Sequence, residues 1–90
     1  MKALQLKIHG LVQGVFFRKY TREKAIELGL YGTVRNDADG TVQIHVEGRE
    51  EAVDDFVQWC HHGPSRANVT KVDIHETRLK NSTGFIILKA

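Results

Sequence analysis

Cysteine is nearly absent: Cys60 is the only one in 90 residues. That excludes an internal disulfide framework and every CxxC redox or metal motif. Charge of one sign is never concentrated. Thirteen basic and eleven acidic residues are well mixed, with a formal net charge of +2, so no nucleic-acid stripe or membrane-binding patch is indicated. Any anion site must rely on one or two well-placed basic residues. No apolar run approaches the roughly 20 residues needed to span a bilayer. Met1-Lys2-Ala3-Leu4-Gln5-Leu6 alternates polar and apolar too early for a signal peptide, and a cytoplasmic protein is expected. Repeats, low-complexity tracts and linkers are also missing. What remains, 41% hydrophobic and 27% charged residues, is the composition of an ordinary globular chain. The expectation is one free-standing domain over 1–90, without need of a dimer.

Periodicity supplies the order of elements. Leu4, Leu6, Ile8 and Val12 alternate with polar residues and predict a strand with one buried face. The period changes over Lys19–Leu28, where Thr21, Ala25 and Leu28 share a helical face. Gly29-Leu30 has the form of a helix C-terminus. Tyr31–Asn36 and Thr41–Glu47 flank the turn signal Asn36-Asp37-Ala38-Asp39-Gly40 and read as a hairpin. A second helix follows Gly48, with Ala52, Val53, Phe56, Val57 and Cys60 on its apolar face, and stops at Gly63-Pro64. Val69–Glu76 and Gly84–Lys89 read as strands. The order β-α-β-β-α-β plus one strand predicts an α+β, ferredoxin-like sandwich. Its two helices should cover one face of an antiparallel sheet, with an extra C-terminal strand. That fold hosts many functions and does not choose among them.

The first strand-to-helix junction is where chemistry could sit. Gly10-Leu11-Val12-Gln13-Gly14-Val15-Phe16-Phe17-Arg18 sets two glycines and an arginine around a helix N-terminus. Unpaired amides and the helix dipole favour an anion there, and a tight glycine-containing loop can turn its amides inward. Arg18 adds a planar fork matched to phosphate oxygens. The spacing is neither a Walker loop nor a dinucleotide fingerprint. On the residues alone, an ordinary βα loop with a solvated arginine remains an equal alternative. Asn36, likewise, is a residue that a hairpin turn favours in any case.

In these residues the chain resembles the acylphosphatase family. Gly10–Arg18 matches its first signature, G-x-V-Q-G-V-x-[FY]-R, without a mismatch. Val34, Arg35, Asn36, Gly40, Val42 and Gly48 match the spacing of the second. Thr33 departs from it, standing where the family usually has an aromatic residue; an effect on packing of the second strand is expected. The resemblance implies hydrolysis of acyl phosphates to a carboxylate and inorganic phosphate, with no metal or cofactor. It implies that Arg18 is the phosphate-binding catalytic arginine and that Asn36 positions the attacking water. Backbone amides of Gln13, Gly14, Val15, Phe16, Phe17 and Arg18 would cradle the phosphate. Thr41 could support Asn36. The partners implied are a small acyl phosphate and inorganic phosphate as product and inhibitor, with no nucleic acid or membrane, on a monomer.

Other candidates are weaker. Cys60-His61-His62 invites a metal reading, but adjacent helical residues point about 100° apart and cannot converge. Glu50, Glu51, Asp54 and Asp55 suit a solvated helix face. Lys19 and Arg35 flank the proposed site and add potential or merely surface charge. Trp59 is expected at the edge of the second helix. His9 and His45 fall on the sheet face away from the helices, without an assigned role. An RNA-binding module is the rival from another class, since it shares this fold. It would need aromatic platforms on that face, where Gln5, Lys7, His9, Gln43, His45 and Glu47 stand instead. A regulatory small-ligand domain would normally serve an attached enzyme, for which 90 residues leave no room.

Overall fold

The predicted elements follow in the predicted order in a computed structural model that describes residues 1–89. They are β1 (Lys2–Leu11), α1 (Phe17–Glu27), β2 (Tyr31–Asn36), β3 (Val42–Gly48), α2 (Glu50–His62), β4 (Asn68–Glu76) and β5 (Phe85–Ile87). No helix among these residues is long and apolar enough to cross a membrane. The strand alternation becomes a two-faced sheet. Leu4, Leu6 and Ile8 of β1 and Val42, Ile44 and Val46 of β3 turn to the helices and are all buried. Against them pack Phe17, Thr21 and Ala25 of α1 and Val53, Phe56 and Cys60 of α2. Burial pushes the Cys60 thiol well above its usual range, as expected of an inert core residue. The first helix starts two residues before the expected Lys19. Phe17 is a core side chain, and burying it fixes the first turn there.

The sheet order is β4-β1-β3-β2-β5. The pairs β1–β3, β1–β4 and β2–β3 are antiparallel, as expected, but β5 pairs with β2 in parallel. The sheet is therefore mixed, which corrects the expectation of a wholly antiparallel one. The cause lies in the path of the chain after β4. Residues 77–84 travel from the β4 edge to the opposite edge across the face that the helices leave open. The Thr77 N–H donates to the Ala3 carbonyl on β1, and the Lys80 and Ser82 N–H groups donate to the Glu47 carboxylate on β3 at 2.8 and 2.7 Å. Finally the Gly32 N–H of β2 donates to the Gly84 carbonyl. This strap delivers β5 to the far edge, pointing along β2.

The strap also buries what alternation placed in solvent. The side chains of His45 and Glu47 are each only 3% exposed and meet at 2.8 Å. The open-face row that an RNA-binding module would need is thus covered at its β3 end. Burial opposes the charge of Glu47, but the Lys80 N–H, the His45 ring and the Ser82 N–H together outweigh it. The carboxyl is held below its ordinary value of 4.5. A carboxyl shifted down stabilises the fold above its unfolded-state value, and that contribution disappears as pH falls through the folded one. Glu47→Gln leaves an NH2 group facing a backbone donor and should cost about 1–3 kcal/mol at neutral pH. In urea titrations the gap between wild type and variant should narrow as pH drops below roughly 4. A gap that stays constant with pH would show that the charge of Glu47 is not what holds the strap.

Candidate active site

The loop between β1 and α1 is pinned from inside. Val12, Val15 and Phe17 all enter the core, at 1%, 8% and 2% exposed, so the intervening residues are forced outward. Gly10 ends the regular part of β1. The β1–β4 register shifts between His9 and Gly10, and a Cβ at Gly10 would lie 2.1 Å from the Asn68 carbonyl oxygen. No other residue fits there. Gly14 has open space around it, and its requirement is conformational: its φ is +75°. Two residues on, Phe16 adopts φ 63° and ψ 24° without being glycine, a strained state for a bulky side chain. Two left-handed residues in three turn the chain sharply into α1.

The helix that follows begins without a cap. No side chain bonds its first turn, and its first turn holds no acidic residue. Its first backbone bond runs from the Tyr20 N–H to the Phe16 carbonyl at 3.1 Å, which leaves the amides of Phe17, Arg18 and Lys19 ahead of the hydrogen-bonded ladder. The contrast with α2 is informative. There Glu50 and Glu51 occupy the first turn, as the helix dipole favours. In α1 the first turn carries Arg18 and Lys19 instead, cations at the positive end. Arg18 is half-buried, and among the described residues it forms no ion pair.

The β2–β3 turn is fastened to this loop by one side chain. Gln13 Nε2 donates to the carbonyls of Asp37 and Thr41 at 2.8 and 2.9 Å. The turn is closed by the Asp37 N–H donating to the Thr41 carbonyl at 2.9 Å. Lys7 reaches across from β1 to Asp39 at 2.9 Å. The Thr41 hydroxyl, Lys7 and the Thr41 N–H all stabilise the Asp39 anion and hold its carboxyl well below the usual range. Thr41 is therefore engaged with Asp39, and its hydroxyl also accepts from Gln43 Nε2 at 3.2 Å. Asn36 closes β2 opposite Val42, immediately before the fastened turn. It is half-buried, and its amide makes no side-chain hydrogen bond among the described residues.

A family model for acylphosphatase matches residues 4–87. The chain belongs to the acylphosphatase family. It is 60% identical over 65 residues to the acylphosphatase of Geobacter sulfurreducens, spanning 72% of this chain and 71% of that one. It is 42% identical over 90 residues to that of Methylococcus capsulatus, spanning 99% and 98%. The crystal structure of acylphosphatase from Bacillus subtilis superposes with a TM-score of 0.95 at 35% identity, covering 98% of this chain and 99% of that one. The chain is accordingly a hydrolase with acylphosphatase activity.

Of the residues singled out in the sequence, Gln13–Arg18 run into the first turn of α1, with Val15 and Phe17 turned into the core, and the turn after Asn36 is tied directly to Gln13. Cys60 lies in the core, while His61 and His62 are exposed; no described group of three His, Cys, Asp or Glu could hold a metal ion. Thr33 sits mid-β2 between His45 and Ile86, three residues or about 10 Å of strand from Asn36. The side chain of Gln13 was missed. The backbone of this residue was expected to bind phosphate, while its amide is what joins the two acylphosphatase signatures. The available signal was a long polar side chain in a loop otherwise made of glycine and apolar residues. Gln13→Ala removes two bonds to carbonyls and should lower stability by about 1–2 kcal/mol in urea unfolding. Gln13→Glu, which points acceptors at acceptors, should cost at least as much. Unchanged unfolding midpoints would mean the contact contributes nothing.

Proposed function

We propose that this acylphosphatase holds the phosphoryl group of its substrate on the loop Gln13–Arg18 and that Asn36 directs water onto it. The observation that carries the proposal is the uncapped start of α1: an arginine without an ion-pair partner among the described residues stands where the helix dipole favours an anion. A phosphate there would satisfy the amides, the dipole and the guanidinium together.

The chemistry needs little else. Water oxygen attacks phosphorus, the bond from phosphorus to the acyl oxygen breaks, and the carboxylate leaves with the electron pair. The conjugate acid of that leaving group has a pKa of roughly 4, so it departs without a general acid. The water's proton passes to a phosphate oxygen. Phosphoryl transfer chiefly requires alignment and stabilisation of charge on the equatorial oxygens. Arg18 and the amides of Gln13 to Arg18 supply the stabilisation, and the Asn36 carbonyl oxygen can accept from the water and set its line of attack. Inorganic phosphate, as product, would occupy the same cradle and inhibit. The proposal extends to a monomer working in the cytoplasm; a cysteine that is free and buried accords with a reducing compartment.

Phosphate release from an aryl acyl phosphate should continue undiminished in chelator; activity lost there and restored by magnesium or zinc would sink the mechanism. Arg18→Ala should lower turnover by ~10³–10⁵, and Arg18→Lys, which keeps the charge and loses the fork, should damage both turnover and phosphate inhibition. Asn36→Ala should collapse turnover while inhibition by phosphate stays near wild type. Turnover, phosphate inhibition and melting temperature are to be read on one sample. A stable Asn36→Ala variant with near-normal turnover would return Asn36 to the role of a hairpin residue.

A further inference from the structure

The β2–β3 turn is gripped at a second place, on the sheet face away from the helices. Lys7 stands between the buried Leu6 and Ile8 of β1, so its side chain points to that face. Asp73 lies directly opposite it on β4, but Asp73 is already held by His9 at 2.9 Å and by Lys71 at 3.4 Å. Lys7 reaches instead to Asp39 in the turn, at 2.9 Å.

The contacts of the turn differ in what they join. Arg35 meets Asp37 at 3.6 Å and Gln43 donates to Asp37 at 3.3 Å; both come from the two strands that the turn itself connects. They stiffen the hairpin from within. The β1–β3 ladder ends at Ile8 and Val42, so residues 37–41 project beyond it. Past that point, among the described residues, side chains of β1 and its loop hold the turn at two places. Gln13 bonds the carbonyls at the base, of Asp37 and Thr41, and Lys7 bonds the Asp39 carboxylate at the tip. Two bonds at the base define an axis about which the tip could swing, and the ion pair at the tip stops that swing. Asp39 also accepts from the Thr41 N–H and hydroxyl, so tip and base move together, and Asn36 adjoins the base.

We infer that Lys7 is a positioning residue: by pinning the tip of the turn it sets the direction in which the Asn36 amide meets the attacking water. The inference rests on the role proposed above for Asn36. An exposed ion pair of this kind contributes little to stability. Its effect lies in alignment, where a small displacement weighs on the rate and not on phosphate affinity.

The test uses the full chain and an aryl acyl phosphate, and reads kcat, inhibition by inorganic phosphate and melting temperature together. Lys7→Met should lower kcat about tenfold. Phosphate inhibition should stay within about twofold of wild type, and the melting temperature nearly unchanged. Lys7→Arg, which keeps a charged donor, should hold kcat within about threefold of wild type. Lys71→Met removes an equal charge from the same face without touching the turn and should leave kcat as it is. On top of Asn36→Ala, Lys7→Met should cost nothing further, because two residues that act through one group are not additive. Should Lys7→Met melt, Lys7→Gln decides. Wild-type kcat in a folded variant that lacks the Lys7 charge, beside an inactive Asn36→Ala, would overturn the inference alone. So would an equal loss in Lys71→Met, or a second full loss on top of Asn36→Ala. Near-normal turnover in Asn36→Ala itself would overturn the reading of Asn36, and the role of Lys7 with it.

Discussion

The amide of Gln13 spans two parts of the chain that sequence separates by more than twenty residues, and the geometry of the proposed site hangs on it. Both of its bonds go to backbone carbonyls, of Asp37 and Thr41. They therefore fix the path of the turn, whatever side chains the turn carries. Without them, the loop would be held to β1 and α1, and Asn36 to β2 and β3, with no direct tie between the two. A displacement of about 1 Å at a reacting centre can cost on the order of a hundredfold in rate. Further contacts of the turn, from Lys7 and Thr41 to Asp39 and from Arg35 and Gln43 to Asp37, work in the same direction. They rigidify the residues around Asn36, whose own amide has no side-chain partner among the described residues.

The sheet divides its work between its two ends. At one end lie the β1–α1 loop and the β2–β3 turn, with left-handed backbone at Phe16, an uncapped helix and an arginine that has no counterion among the described residues. At the other end the strap crosses β1, β3 and β2, and Glu47 accepts two backbone N–H groups and meets His45. The first end is strained and electrostatically incomplete. The second is closed over a satisfied carboxylate. Between them runs a core that includes Leu4, Leu6 and Ile8 of β1 and Val12 just beyond it. Strain at one end can persist because packing and the strap over-determine the fold elsewhere.

Much of this was legible in the sequence, and the gaps have physical causes. Period-two alternation located the strands, because burial of one face leaves a direct imprint on residue choice. The glycines and Arg18 located the loop for the same kind of reason: few other residues tolerate the backbone that Gly10 and Gly14 adopt. Alternation could not reveal that His45 and Glu47 are buried, since it reports which face a side chain is on and not what later covers that face. The covering segment, 77–84, has no period of its own, and the parallel course of β5 depends wholly on its path. The reach of Gln13 to the hairpin was hidden likewise, because a side-chain bond between distant segments leaves no spacing to detect.

The electrostatics of α1 explain why so short a chain can assemble such a site. A cation at a helix N-terminus is unfavourable by roughly 0.3–1 kcal/mol, and an uncapped first turn forgoes about 1 kcal/mol more that a Ser, Thr, Asp or Asn would supply. Phe16 occupies the capping position and offers no acceptor. Each feature is a small defect when only the fold is considered. An acceptor side chain at the cap, or an acid in the first turn, would remove the defect by filling the place proposed for the phosphate. The proposed anion site thus rests on the absence of the residues that ordinarily complete a helix. The cost is one that a small core can bear, and in the proposed mechanism the carboxylate leaving group needs no acid beside it.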